Sequence, residues 1–90
     1  MITIRIPANL RPLTNGNEVI EVEGQSVRDA LVSLESAFPA LRDRLRAPDG
    51  QIRRTLLVFV NDDDIRNCEG EEMTLRAGDE ISIVPALAGG

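Results

Sequence analysis

The residues with the plainest chemical potential stand last: Gly89 and Gly90, after Pro85-Ala86-Leu87-Ala88. Two residues without Cβ can enter a narrow channel, adopt positive φ and leave their carbonyls open to attack. At an ordinary glycine frequency, two adjacent glycines in last place arise by chance in about 0.5% of chains. A terminal carboxylate is a poor electrophile, so chemistry at Gly90 requires activation by another protein. Because Gly90 is the last residue, no processing step is expected to precede that activation.

Other reactive groups lead nowhere comparable. The chain has no histidine, so the commonest general base and metal ligand is missing. A single cysteine, Cys68, excludes an internal disulfide and any multi-cysteine metal site, and in its polar neighbourhood it reads as an incidental thiol. Asp62, Asp63 and Asp64 are consecutive, so their carboxylates diverge. They lack the spaced ligands of a calcium loop and are read as turn formers. Ser26 and Asp29, without a histidine, make a helix cap rather than a nucleophilic site.

Ninety residues with 42% apolar content form one small domain with an aliphatic core, since Phe38 and Phe59 are the only aromatics. The net charge of −5 and the scarcity of aromatics argue against nucleic acid as a partner. No apolar run approaches a membrane span and Met1 leads straight into an alternating segment, so no membrane association and a cytoplasmic location are expected. Every cationic side chain is arginine, so the chain offers no lysine amine on which an isopeptide could be built.

The tail must hang on something rigid. Ile2, Ile4 and Ile6 share one face of a first strand, which Pro7 ends. A polar connection with a turn at Asn15-Gly16 leads to a β-branched second strand, Glu18-Val19-Ile20-Glu21-Val22. Ser26 caps a helix whose Val27, Ala30, Leu31, Leu34, Ala37, Phe38 and Leu41 fall on one side, ending near Phe38 before Pro39. A short stub returns Leu41 and Leu45 to the core, and residues 42 to 54 read as a solvated loop rich in arginine. The segment Thr55-Leu56-Leu57-Val58-Phe59-Val60-Asn61 is apolar on both parities. With Leu56, Val58 and Val60 facing the helix, Leu57 and Phe59 lie on the open sheet face beside Val84, as a docking patch. Asp62 to Asp64 turn the chain, Ile65-Arg66 begins a short strand, and Ala77-Gly78-Asp79 turns into a last strand that Pro85 stops.

Strand, strand, helix, strand, short strand, strand, with first and last strands parallel at the centre, is an α+β β-grasp (ubiquitin-like) arrangement: a mixed sheet of about five strands with one main helix across one face. Residues 1–84 form the domain and residues 85–90 a tail.

Over its full length the chain resembles the ubiquitin-like sulfur carriers (MoaD/ThiS type) of molybdopterin, thiamine and cysteine synthesis. The resemblance rests on Val60-Asn61-Asp62, on Ala77-Gly78-Asp79-Glu80 and above all on Pro85-Ala86-Leu87-Ala88-Gly89-Gly90. Leu10-Arg11-Pro12 and the run from Val60 to Arg66 look most like the carrier serving an O-phosphoserine-dependent cysteine synthase. The molybdopterin synthase small subunit is the nearest alternative. A covalent protein modifier, or a β-grasp interaction domain with an idle terminus, also fits such a chain.

The resemblance implies a substrate protein rather than an enzyme, binding no cofactor itself. An E1-like adenylyltransferase/sulfurtransferase would spend ATP to adenylate Gly90 and convert it to a thiocarboxylate. A sulfur-accepting synthase, PLP-dependent in the cysteine route, and a peptidase that releases the adduct complete the implied partners. Leu57, Phe59, Val84, Leu87 and Ala88 would meet those partners, with Leu87 as anchor in the channel and Gly89 giving Gly90 access.

Overall fold

The computed structural model describes residues 1–86. The strands β1 (Ile2–Arg5), β2 (Val19–Val22), β3 (Leu56–Val60), β4 (Asp63–Asp64) and β5 (Glu80–Pro85) form one sheet in the order β2-β1-β5-β3-β4. β1 and β5 run parallel at the centre, Ile4 opposite Ile81, and the remaining pairs are antiparallel. One face of this sheet is covered by α1 (Val27–Ala37) and by the stub α2 (Arg42–Leu45).

Period-two alternation decides which side chains reach the core. Ile2, Ile4, Leu56, Val58, Val60, Ile81 and Ile83 point to the helix side and are buried, as is Ile6 just past β1. Val27, Ala30, Leu31 and Leu34 meet them from α1, and Leu41 and Leu45 close one end. The start of α1 is fixed by Ser26, whose Oγ accepts the Asp29 N–H at 3.1 Å. The Asp29 carboxylate reaches back to the Gln25 N–H at 3.4 Å rather than to that of Ser26, so the reciprocal half of the box is displaced by one residue. Ala37 is exposed, because the helix ends there and Phe38 leaves the helical path at φ −134.

Four local readings are corrected. The connection after Pro7 is a 3-10 helix over Ala8–Thr14, which buries Leu10 and Thr14 before Asn15 and Gly16 turn the chain at positive φ. The Thr14 hydroxyl lies 2.9 Å from the Asn17 carbonyl oxygen and 3.1 Å from that of Arg11, so its one proton is satisfied in the interior. Further on, Asp63 and Asp64 are strand, not turn. Asn61 takes the left-handed conformation (φ 54), so the reversal is complete at Asp62 and Asp63 already faces Val60. Ile65–Asn67 is then a 3-10 turn instead of a strand, started by the Asp64 side chain accepting the Arg66 N–H at 2.9 Å.

The arginine-rich segment is the third correction. Its middle is tied down by Arg46, whose Nε donates to Glu35 at 2.9 Å and whose terminal nitrogens reach the two Glu71 oxygens at 2.8 and 3.1 Å. Arg46, Glu35 and Glu71 side chains are only 11%, 10% and 9% exposed, which makes this a buried ion triad joining α1, the loop and the 3-10 turn Gly70–Glu72. Hydrogen bonding to Glu71 is the largest influence holding the Arg46 guanidinium above its ordinary pKa. Burial opposes it, and the charges of Glu71 and Glu35 add to it. The fourth correction concerns Pro85 and belongs to the site.

Candidate functional site

β5 occupies the middle of the sheet, so whatever follows it is attached to the most firmly held strand. Glu80 accepts the Asn61 N–H through its carbonyl, and Ala86 donates its N–H to the Thr55 carbonyl at 2.8 Å. Even-numbered residues of β5 thus turn their main-chain groups toward β3, and odd-numbered ones toward β1. Pairing with β1 is recorded only to Ser82, opposite Arg5. Pro85 therefore turns its missing N–H to the side where β1 has already ended, and no ladder bond is lost. It pairs with Leu56 instead of stopping the strand. The described chain is sheet-bound through Ala86, and the expected tail begins later than Pro85.

Leu87, Ala88, Gly89 and Gly90 lie outside the described residues. The remaining partner-binding candidates are brought together. Leu57 stands directly opposite Val84, and Phe59 lies two residues further along β3 on the same open face, opposite Ser82. Val84 is 39% exposed, and Leu57 and Phe59 are half-buried, whereas their neighbours Leu56, Val58 and Val60 are buried on the other side. The parity read from the sequence holds. Because Val84 immediately precedes Pro85, the apolar patch adjoins the root of the tail.

Sequence reasoning missed what surrounds that root. Arg44 of α2, Arg53 and Thr55 line one recess with Pro85 and Ala86. The Arg53 Nε donates to the Asp43 carbonyl at 2.8 Å, which holds its side chain at the rim. Only the pairing of β3 with β5 brings residues 53–55 beside 85–86, so no local signal could have revealed it. On the far side of β3, Arg66 hydrogen-bonds to the Asp64 carboxylate and, with its backbone N–H second, holds that carboxyl below the ordinary aspartate range.

Among the described residues no three His, Cys, Asp or Glu side chains gather to hold a metal ion. Cys68 is exposed, and no helix there is long and apolar enough to cross a membrane.

A central parallel pair, an antiparallel hairpin on each side and a helix across one face define a β-grasp, ubiquitin-like protein. The ThiS family model matches residues 4–90. Sulfur carrier protein CysO of Mycobacterium tuberculosis is 33% identical over 91 residues, covering 99% of this chain and 98% of that one. A chain of the BexX/CysO complex from Amycolatopsis orientalis superposes with a TM-score of 0.90 at 34% identity, with all of both chains covered. Small archaeal modifier protein 1 of Methanosarcina acetivorans gives 0.85 at 29%, covering 99% and 95%. The chain belongs to the ThiS family of ubiquitin-like sulfur carriers.

Proposed function

We propose that this protein is a cytoplasmic sulfur carrier whose Gly90 carboxylate is adenylated and thiocarboxylated, and which donates its sulfur to a partner synthase for cysteine biosynthesis. The carrying observation is the end-to-end likeness to a protein named as a sulfur carrier, at 33% identity over 99% of this chain, with the ThiS model matching through residue 90. The described architecture suits the role: β5 fixes the root of the tail beside the Leu57–Phe59–Val84 patch, where a partner can hold the domain while working on its end.

In this reading an E1-like enzyme supplies ATP. The Gly90 carboxylate attacks the α-phosphorus, pyrophosphate leaves, and an acyl-adenylate results. A sulfur nucleophile then attacks the carbonyl and expels AMP, which carries away one carboxylate oxygen. The product –COS⁻ differs from the starting acid by one oxygen replaced with one sulfur. In the cysteine route a pyridoxal-phosphate-dependent synthase binds an activated serine, and the thiocarboxylate sulfur bonds to its side-chain carbon as the leaving group departs. Hydrolysis of the carrier–cysteine adduct by a peptidase regenerates Gly90. Gly89, Ala88 and Leu87 would occupy the partner's channel.

Intact mass spectrometry after incubation with the activating enzyme, ATP and a sulfur source tests this, with the single oxygen-to-sulfur increase as the expected result. Deleting Gly89 and Gly90 should abolish it. No increase with genuine partners present would refute the carrier role.

A second use of the same end, covalent attachment to lysines of other proteins, is favoured by the likeness to small archaeal modifier protein 1. Gly-Gly remnants on target lysines would identify it.

A further inference from the structure

β2 is the outermost strand on its side of the sheet, and its register leaves one of its sides unpaired. The Ile6 N–H donates to the Glu18 carbonyl at 2.8 Å, which makes Ile6–Glu18, and with it Ile4–Ile20 and Ile2–Val22, the hydrogen-bonded pairs beside β1. Val19 and Glu21 sit in the alternate pairs, so the N–H and C=O of each point away from β1. The matching groups on β1 turn toward β5, as the Thr3 N–H does in donating to the Asp79 carbonyl at 3.1 Å. Fixed contacts bound this opening at both ends: the Thr14 hydroxyl lies against the Asn17 carbonyl, and the Ser33 hydroxyl donates to the Glu23 carbonyl at 3.0 Å. The opposite edge, β4, is only Asp63–Asp64 and offers no such length. β2 contains no proline, lysine or bulge, the usual devices that blunt an edge. Its guard is charge alone. Between Arg11 and Arg28 the chain has three carboxylates, Glu18, Glu21 and Glu23, and no cation. Glu21 and Glu23 are exposed and join none of the ion pairs among the described residues, while Glu18 only grazes Arg5 and Arg11 at 4.0 and 3.9 Å.

We infer that β2 receives an extended, basic segment of a partner protein as an added strand. The main chain of that segment takes up the outward groups of Val19 and Glu21, and its lysine or arginine side chains meet Glu21 and Glu23. A second copy of this chain fits the same edge poorly. To fill all the outward groups in an antiparallel pairing, it must set its Glu21 against Val19 and its Val19 against Glu21. That puts the two Glu21 carboxylates at diagonal positions on one face, about 7 Å apart. It also brings together two chains of net charge −5. The carboxylates thus repel the chain's own β2 and select a cationic strand. Three strand spacings of about 4.8 Å put β2 roughly 14 Å from β3, so an added strand leaves Leu57, Phe59 and Val84 uncovered. The edge is therefore a tether, held by one partner while the open face meets another, and it does not depend on what the chain end carries.

The test is a nitrogen–proton NMR titration of the full chain with a capped peptide of alternating lysine and valine, up to about 1 mM. The Val19 and Glu21 amides should shift in a saturable way and exchange more slowly with solvent, while those of Leu57 and Phe59 stay where they are. Glu21→Gln/Glu23→Gln should raise Kd about fivefold at low ionic strength and less than about twofold at about 0.5 M sodium chloride. Val19→Pro removes one outward donor and no ladder bond, so it should weaken binding at least about fivefold at both salt concentrations. A peptide of alternating glutamate and valine should not bind. Circular dichroism confirms that each variant is folded. The inference is overturned by the lack of a saturable shift at Val19 and Glu21, by equal binding of the glutamate peptide, or by shifts centred on Leu57 and Phe59. Wild-type affinity in the folded Val19→Pro variant overturns it too, as does protection at Val19 that grows with the concentration of this chain alone. None of these results touches the carrier reading.

Discussion

Replacing Arg46 with methionine keeps most of the aliphatic stem and removes the guanidinium, leaving Glu35 without its partner and Glu71 with only the Arg28 Nε at 4.0 Å. Both are about nine-tenths buried, so neither can recover its lost hydrogen bonds from water without local opening. Removing one partner from a buried ion pair costs about 3–5 kcal/mol, most of it the penalty of stranding the remaining charge. The loss of the Arg46 bond to the Gly50 carbonyl adds to this by loosening the 46–52 loop. A chain of this size holds about 0.05–0.15 kcal/mol per residue in total, so the variant surrenders a large share of its stability. At about 4–8 °C per kcal/mol for small domains, the midpoint should drop by about 12–40 °C.

With no tryptophan or tyrosine in the chain, unfolding is best followed by far-ultraviolet circular dichroism rather than intrinsic fluorescence. The triple variant Arg46→Met/Glu35→Gln/Glu71→Gln separates causes, because it removes the stranded charges along with their partner. It should regain more than half of the loss. A single variant within about 1 kcal/mol of wild type would refute the argument, showing that the triad is solvated in practice and behaves as a surface network.

Three further outcomes are expected. Gly24→Ala would place a Cβ 2.7 Å from the Ala30 nitrogen and 3.0 Å from its Cα, against helix backbone that cannot yield; a loss of about 1–3 kcal/mol is expected in a urea titration. Ser26→Ala removes the oxygen that accepts the Asp29 N–H, and should cost about 1 kcal/mol in the same assay. Arg66→Gln should raise the titration midpoint of Asp64, read by carboxyl-carbon NMR, most of the way to the ordinary aspartate value, since the guanidinium is the largest cause of its lowering and the backbone N–H remains. The lowered carboxyl favours the fold above its unfolded-state pKa, and that preference is lost as pH falls through the folded value, so the variant should show a weaker acid-side decline.

What was legible in the sequence follows from what is periodic. Ile2, Ile4 and Ile6, or Leu56, Val58 and Val60, declare their buried face because strand side chains alternate strictly, and this also placed Leu57, Phe59 and Val84 on the open one. Ser26 and Pro39 bracketed α1 because capping and proline geometry act within a few residues. The illegible features depend on distant or single-residue geometry. Nothing local to Arg46 distinguishes it from Arg42 or Arg44; only folding brings Glu35 and Glu71 to it. The reversal after Val60 ended a residue early because Asn61 accepts positive φ, a choice that aspartate-rich turns leave open. The first connection reads from sequence only as a polar link with a turn at Asn15-Gly16, because a 3-10 turn lacks a repeating stripe long enough to count.

Pro85 shows how a sound local rule and the structure can differ without conflict. A proline lacks a donor, and that matters only where a donor is needed. In β5 the need depends on parity and on where β1 ends, both of which are facts of register. The outcome bears on function. Had pairing stopped at Val84, Pro85 and Ala86 would lie beyond the last pair, Val84 with Leu57, and outside the sheet. With Ala86 bonded to Thr55, the sheet itself holds the chain to two residue pairs beyond Val84, beside the recess lined by Arg44 and Arg53. Relative to Val84 on the open face, Ala86 therefore stands at a position set by the sheet. Loss of that bond, as with a proline at position 86, should impair activation by a partner while leaving the core, which lies on the other face of the sheet, folded.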